Sequence, residues 1–116
     1  MRINNNFFSP NYSNRVKNPE YIIMHFTEMI FEDALAKLTD PEAQVSAHYL
    51  IKENGEIFQL VDDDNIAWHA GVSSWQGNEA LNQNSIGIEL DYLGNCEFKR
   101  AQMDACIELS KNLLKK

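Results

Sequence analysis

One stretch decides the fold class: YIIMHFT, from Tyr21 to Thr27. It is an almost continuous apolar run of strand length, which is typical of a strand buried on both faces in the middle of a sheet. The segment that follows, 28–38, carries apolar residues at the spacing of one helix face, and Pro41 follows its end. A buried strand followed by an amphipathic helix predicts an α/β fold.

Later segments extend the predicted sheet and add a second helix. The strand-like runs Val45–Lys52 and Glu56–Val61 flank an Asn-Gly pair at 54–55, and Asn-Gly between apolar runs is the strongest short signal for a β-hairpin. The run Arg100–Lys115 has apolar residues at helical spacing. Together these segments predict a mixed central β-sheet flanked by helices, in a single domain that spans residues 1–116.

Two segments have no hydrophobic periodicity. Residues 1–19 contain several turn formers and are expected to form an irregular arm that packs on the domain. Residues 62–84 are polar and rich in small side chains, which predicts one long loop. Loops of that length in compact domains are usually functional, so this segment is expected to contribute to a site.

Length and charge limit the possible partners. The chain has 116 residues, enough for one hydrophobic core and too few for two. Ten Lys and Arg residues against seventeen Asp and Glu give a net charge of −7, which argues against nucleic acid and anionic membrane surfaces. No run approaches the roughly 20 apolar residues of a membrane span, and the first residues lack the apolar stretch of a signal peptide. We therefore expect no membrane span and a location in the cytoplasm or the periplasm.

Three histidines are the first candidates for chemistry: His25, His48 and His69. His25 lies near the end of the first predicted strand, where ligands bind in α/β sheets. A buried, hydrogen-bonded histidine is the plainer interpretation. The alternative is a zinc ligand, and all three histidines together would form a three-histidine site with one position left for water. Their spacing matches no metal motif, so both interpretations stay open.

Glu89 is the second candidate. In the strand-like run Ser85–Tyr92 it alternates with Ile88 and Leu90, so it is expected to share a strand face with Gly87. A carboxylate in an apolar strand is costly to bury unless it is neutral or paired, which is more typical of a site than of a scaffold. The plainer alternative is a glutamate on the exposed face of a half-buried sheet.

The predicted long loop contains the third group of candidates. Trp68-His69-Ala70-Gly71 combines a large aromatic side chain, a titratable ring and two small residues that let a ligand approach the backbone. Such a loop is suited to bind a sugar or a peptide, whereas the plainer interpretation has Trp68 covering the core. Asn82 is either a turn residue or an amide donor to a ligand.

In their order along the chain, these segments resemble the type 2 family of zinc-dependent N-acetylmuramoyl-L-alanine amidases, which is related to peptidoglycan recognition proteins and T7-type lysozyme. The resemblance covers most of residues 9–92 and is strongest to the branch of the AmiD and AmpD amidases, which act on anhydro-muropeptides. The segments that carry it are SPNY at 9–12, YIIMHFT at 21–27, LTD at 38–40, VSAHYLI at 45–51, GEIFQLV at 55–61, AWHAG at 67–71 and NSIGIEL at 84–90.

The resemblance implies hydrolysis of the amide between the MurNAc lactyl group and the L-Ala of the stem peptide, with one catalytic zinc ion. It implies His25 as a zinc ligand and Glu89 as the general acid/base, whereas His48 matches a framework position. The residues expected to contact the substrate are Trp68, His69 and Asn82. The family's other two ligands, a His and an Asp after the last helix, have no counterpart up to Lys116. We therefore expect a chain that lacks the family's C-terminal part.

Two functions follow from these expectations. The first is a zinc-dependent amidase that acts on peptidoglycan or muropeptides in cell-wall turnover or recycling. The second, which the missing ligands favour, is a module that binds muropeptides without cleaving them, or an inactive truncated amidase. The presence of His25 and Glu89 favours descent from an enzyme, because a pure binding module has no need of a carboxylate there. No feature of the sequence indicates a purely structural domain.

Overall fold

The computed structural model describes residues 2–15, 18–69, 74–75, 78–79, 81–92 and 99–115. The elements in chain order are β1 (Ile3–Asn4), β2 (Tyr12–Asn14), β3 (Tyr21–Phe26), α1 (Phe31–Leu38), β4 (Tyr49–Ile51), β5 (Ile57–Gln59), β6 (Asn65–Ala67), β7 (Ser74–Trp75), β8 (Asn78–Glu79), a 3-10 helix (Leu81–Asn84), β9 (Ser85–Leu90) and α2 (Arg100–Leu114). Five strands form one sheet in the order β1-β5-β4-β9-β3. The predicted mixed sheet flanked by helices is confirmed.

The central sheet combines both strand directions. β9 pairs in parallel with β3 and β4, whereas β4 and β5 form the predicted antiparallel hairpin. The hairpin turn needs Gly55, which has a φ of +93°, and a Cβ at this residue would lie 2.8 Å from the carbonyl oxygen of Ala101 in α2. The Asn-Gly turn therefore closes the hairpin and also allows α2 to approach it.

The two helices pack on opposite faces of the sheet and close two hydrophobic clusters. On the α2 face the buried cluster consists of Tyr49, Ile51, Ile57, Ile86, Ile88, Leu90, Cys106 and Leu109. On the α1 face it consists of Phe31, Ala34, Leu38, Leu50, Phe58 and Leu60. The buried amide of Gln102 in α2 donates hydrogen bonds to the carbonyl oxygens of Ile51 and Asp91, which fixes this helix at the ends of β4 and β9. The α1 face is the one that carries the candidate site.

The position of β3 corrects one prediction. Its apolar run predicts a strand in the middle of the sheet, but in the part of the chain that the structure describes β3 lies at an edge, paired with β9. Met24 is 48% exposed and Phe26 is 54% exposed. The prediction failed because apolar side chains are common on protein surfaces, so hydrophobicity alone does not place a strand within its sheet.

Three further boundaries differ from the predictions. The first helix begins at Phe31 instead of residue 28, because Glu28 has a φ of +56° that is incompatible with a helix. The arm at 1–19 is not wholly irregular, since β1 pairs with β5 and β2 pairs with β6. The segment 62–84 is not one loop, because it contains β6, the β7–β8 pair and the 3-10 helix. No described helix has the length and apolar character needed to cross a membrane.

Candidate active site

A cavity of about 250 Å³ opens on the α1 face of the sheet. The cavity lies between β3, β9, α1 and the segment that follows α1. Its described lining residues are Phe26, Thr27, Met29, Ala34, Lys37, Leu38, Val45, Ser46, His69 and Glu89. Two of the predicted site residues, His69 and Glu89, therefore meet at one cavity.

His25 and Glu89 lie side by side on neighbouring strands. They are register partners in the parallel β3–β9 pair, and register partners in adjacent strands point to the same side of the sheet. Ser85 and Gly87 share that side, because they alternate with Glu89 along β9. The predicted common face of Gly87 and Glu89 is thus observed, and His25 belongs to it.

His69 connects His25 to β9 by two hydrogen bonds. Its Nδ1 lies 3.0 Å from His25 Nε2, and its Nε2 lies 2.9 Å from the hydroxyl of Ser85. Burial lowers the pKa of His69 to about 3, and the nearby charges of His25, His48 and Arg15 act in the same direction. Burial also lowers the pKa of His25. Both rings are therefore neutral at pH 7, and a neutral imidazole is the form that binds metals.

The ring nitrogens of His48 contact backbone groups, which fits the framework position that the family resemblance implies for it. Its Nδ1 accepts a hydrogen bond of 3.0 Å from the backbone N–H of Gly87, so the ring proton resides on Nε2. That Nε2 donates to the carbonyl oxygen of Asn65 at 2.7 Å. Burial lowers the pKa of His48 to about 4. Because both ring nitrogens bind backbone groups, this side chain ties β9 to β6.

Arg15 is a residue that the sequence analysis missed. It follows β2, and its guanidinium donates hydrogen bonds to four backbone carbonyl oxygens. The acceptors are Asp63 at 3.0 Å, Gln83 at 3.0 Å, Asn65 at 2.8 Å and Ser85 at 3.0 Å. Arg15 therefore holds the segment before β6 and the segment before β9 together. One of its acceptor residues, Ser85, also hydrogen-bonds to His69 through its hydroxyl group. The available signal was an arginine that directly follows the turn-forming residues Ser13 and Asn14 of the arm.

The environment of Glu89 disfavours the charged form of its carboxyl group. Its Oε2 is buried and has no hydrogen-bond partner in the part of the chain that the structure describes. Burial raises the pKa of Glu89 to about 7, and the positive charge of Lys37 opposes that shift. A carboxyl group that titrates near neutral pH can both accept and donate a proton under physiological conditions.

The other two predicted substrate contacts make internal hydrogen bonds. The indole N–H of Trp68 donates to the hydroxyl of Ser13 at 2.8 Å. Asn82 Oδ1 accepts the backbone N–H of His69 at 3.0 Å, which positions the histidine. Neither Trp68 nor Asn82 is among the described lining residues of the cavity, so their contact with substrate stays a prediction. Ala70 and Gly71 of the predicted binding loop lie outside the described residues.

The family model for N-acetylmuramoyl-L-alanine amidase matches residues 15–116. The chain belongs to this family. It is 40% identical over 109 residues to AmiD of Escherichia coli strain K12, a match that covers 80% of the chain and 39% of AmiD. It is 37% identical to AmpD of Citrobacter freundii over an alignment of 126 positions, which covers 91% of the chain and 67% of AmpD.

Solved structures of the same amidases share the fold. A crystal structure of a selenomethionine derivative of AmpD superimposes with a TM-score of 0.87 at 34% identity, covering 99% of the chain and 75% of AmpD. Escherichia coli AmiD in complex with the substrate anhydro-N-acetylmuramic acid-L-Ala-D-γ-Glu-L-Lys gives a TM-score of 0.79 at 36% identity, covering 85% of the chain and 44% of AmiD. The chain spans from about two fifths to three quarters of these relatives.

The described residues do not form a complete metal site. Relatives in this family are generally zinc-dependent. However, the ranges that the structure describes contain no group of three or more His, Cys, Asp or Glu side chains placed to hold a metal ion. The three-histidine interpretation is therefore wrong, since His25, His48 and His69 are all described and do not form such a group. A catalytic zinc needs three protein ligands, and His25 is the one described residue that the family resemblance implies as a ligand.

Proposed function

We propose that the protein hydrolyses the amide between the MurNAc lactyl group and the L-Ala of muropeptides. The observation that carries this proposal is the buried Glu89 Oε2, which has no hydrogen-bond partner among the described residues and belongs to a cavity beside His25 and His69. Relatives with up to 45% identity are named as amidases of this bond type, and AmiD has been solved with an anhydro-muropeptide substrate. The expected location of this reaction is the cytoplasm or the periplasm.

Glu89 is the proposed general acid/base. Its carboxylate accepts a proton from a water molecule whose oxygen attacks the lactyl carbonyl carbon. The carbon–nitrogen bond then breaks, and the protonated Glu89 gives that proton to the departing nitrogen of L-Ala. The products are a lactyl carboxylate and a peptide with a free amino group. A pKa of about 7 suits both halves of this cycle, because the group is then present in both protonation states.

His25 is the proposed zinc ligand of this chain, and Trp68, His69 and Asn82 are the proposed substrate contacts. Because the described residues do not complete a zinc site, no step of the proton transfer is assigned to a metal. His69 is the best supported of the three contacts, since it lines the cavity together with Glu89.

The alternative is a module that binds muropeptides without cleaving them. The observation that favours it is the lack of a complete group of metal ligands among the described residues. Both functions use the same cavity and the same substrate class. They differ in whether the lactyl amide is broken.

Incubation of the protein with anhydro-MurNAc-L-Ala-γ-D-Glu-L-Lys, with and without added zinc, separates the two functions. The amidase proposal predicts release of L-Ala-γ-D-Glu-L-Lys, detected by mass spectrometry, and about one zinc ion per chain by elemental analysis. Binding of the intact muropeptide without any release would establish the binding module instead. A protein that neither binds nor cleaves this compound would contradict both.

A further inference from the structure

The cavity beside Glu89 contains one cationic side chain among its described lining residues, that of Lys37. Ala34, Lys37 and Leu38 lie at the i, i+3 and i+4 positions of α1, which places them on one helix face. Ala34 and Leu38 are buried against the sheet, whereas Lys37 is exposed and reaches the rim of the cavity. The amphipathic pattern of α1 therefore places Lys37 in the lining of the candidate site.

The positive charge of Lys37 is opposite in sign to the charge of the whole chain and to that of Glu89 in the same lining. The chain has a net charge of −7, and the other charged residue in the described lining is the carboxyl of Glu89. An ionised Glu89 repels an anionic ligand, and the overall charge adds to this repulsion. Lys37 is near enough to Glu89 to act on it electrostatically. A cation at this position therefore reduces the cost of bringing an anionic group into the cavity.

The substrate class carries an anionic group close to the reacting bond. In the muropeptide bound to AmiD the D-Glu is joined through its γ-carboxyl group, so its α-carboxylate stays free. That carboxylate follows the scissile amide by one L-Ala residue, a separation of about 7 Å along the extended chain. A peptide whose lactyl amide reaches Glu89 has its free carboxylate within about 7 Å of the reacting bond, which lets it meet Lys37 in the lining of the same cavity.

We propose that Lys37 is a specificity-determining residue that binds the free α-carboxylate of the γ-linked D-Glu in the stem peptide. By this contact the protein prefers stem peptides with D-Glu over those in which the same carboxyl is amidated to D-isoglutamine. This inference rests on the proposed muropeptide function and adds a substrate preference to it. It does not depend on whether the bound peptide is cleaved.

The test compares the binding of two probes by isothermal titration calorimetry: MurNAc-L-Ala-γ-D-Glu-L-Lys, and the same compound with D-isoglutamine in place of D-Glu. EDTA is present, so that metal-dependent hydrolysis does not consume the probes. The variant is Lys37→Met, which removes the charge and keeps a long side chain of similar helix propensity. The matched control is Lys111→Met in α2, because this exposed lysine lies on the helix that covers the opposite face of the sheet.

The wild-type protein and Lys111→Met are expected to bind the acidic probe about three- to fivefold more tightly than the amidated probe, the range of a solvent-accessible ion pair. Lys37→Met is expected to bind both probes with the affinity that the wild type has for the amidated one. An unchanged ratio in Lys37→Met, or no preference in the wild type, would overturn the role of Lys37 and leave muropeptide binding intact. Failure of all three proteins to bind either probe would overturn the muropeptide function and this inference with it.

Discussion

The imidazole of His69 lies directly against the backbone of Gly87. A Cβ atom at residue 87 would stand 2.4 Å from His69 Cγ, a separation that real Cβ atoms do not show. The glycine therefore creates the space in which His69 hydrogen-bonds to His25 and Ser85. Because Gly87 shares its strand face with Glu89, the same small residue shapes one side of the candidate site.

Gly87→Ala is expected to displace His69 and break its bond to His25. Because the contact is with a buried ring, the substitution should lower the free energy of unfolding by about 1–3 kcal/mol and weaken muropeptide binding. Urea denaturation and calorimetry measure the two effects. Ser85→Ala, which removes a hydroxyl partner of His69 without adding volume, is the comparison and should weaken binding less. Wild-type binding by Gly87→Ala would show that the position of His69 is unimportant.

Arg15→Lys is expected to lower the free energy of unfolding by about 3 kcal/mol. An ammonium group has three donors and no planar fork, so it cannot satisfy the four carbonyl oxygens that Arg15 binds. Urea denaturation at pH 7 provides the measurement. The matched control is Arg100→Lys, whose side chain is 92% exposed and should change stability by less than about 0.5 kcal/mol. Equal effects of the two substitutions would refute the structural role of Arg15.

The stability of the protein is expected to fall in acid through His48. The pKa of His48 is about 4 in the folded protein and about 6.5 in the unfolded chain, so the unfolded chain binds more protons between these values. This contribution is fully present above pH 6.5 and is lost as the pH falls towards 4. Over that interval it amounts to about 3 kcal/mol.

The contribution of His48 can be isolated with His48→Gln, which does not titrate. His25 and His69 also have lowered pKa values and act in the same direction, whereas the raised pKa of Glu89 acts in the opposite one. Denaturation curves at pH 7.5 and pH 4.5 should therefore differ less for His48→Gln than for the wild type. Identical pH dependence in both proteins would mean that His48 is not buried in its neutral form.

The parts of the site that the sequence predicted depend on local patterns. Alternation along β9 placed Glu89 on the face of Gly87, because side chains in a strand alternate regardless of what packs against them. The Asn-Gly pair located the hairpin for a similar reason, since only a few residues fit its backbone angles. The roles of His25 and Glu89 came from the family resemblance and stay proposals.

The parts that were missed depend on contacts between distant segments. Arg15 is 48–70 residues from the carbonyl groups that it binds, and no pattern near it in the chain reveals those partners. The edge position of β3 and the pairing of β1 with β5 are likewise set by the tertiary fold. His69 hydrogen-bonds to both His25 and Ser85, and these three residues lie in separate segments of the chain. Spacing along the sequence therefore does not predict these hydrogen bonds.

The most direct test of the account is the turnover of Glu89→Gln on anhydro-MurNAc-L-Ala-γ-D-Glu-L-Lys, measured together with the affinity for that compound. The amide keeps the size of the carboxyl but cannot carry the proton, so turnover should fall by about 100-fold or more while the Kd changes by less than about twofold. Glu32→Gln, at an exposed position of α1, is the control and should retain wild-type turnover. Wild-type turnover by Glu89→Gln, or no release of peptide by the wild type, would contradict the central claim.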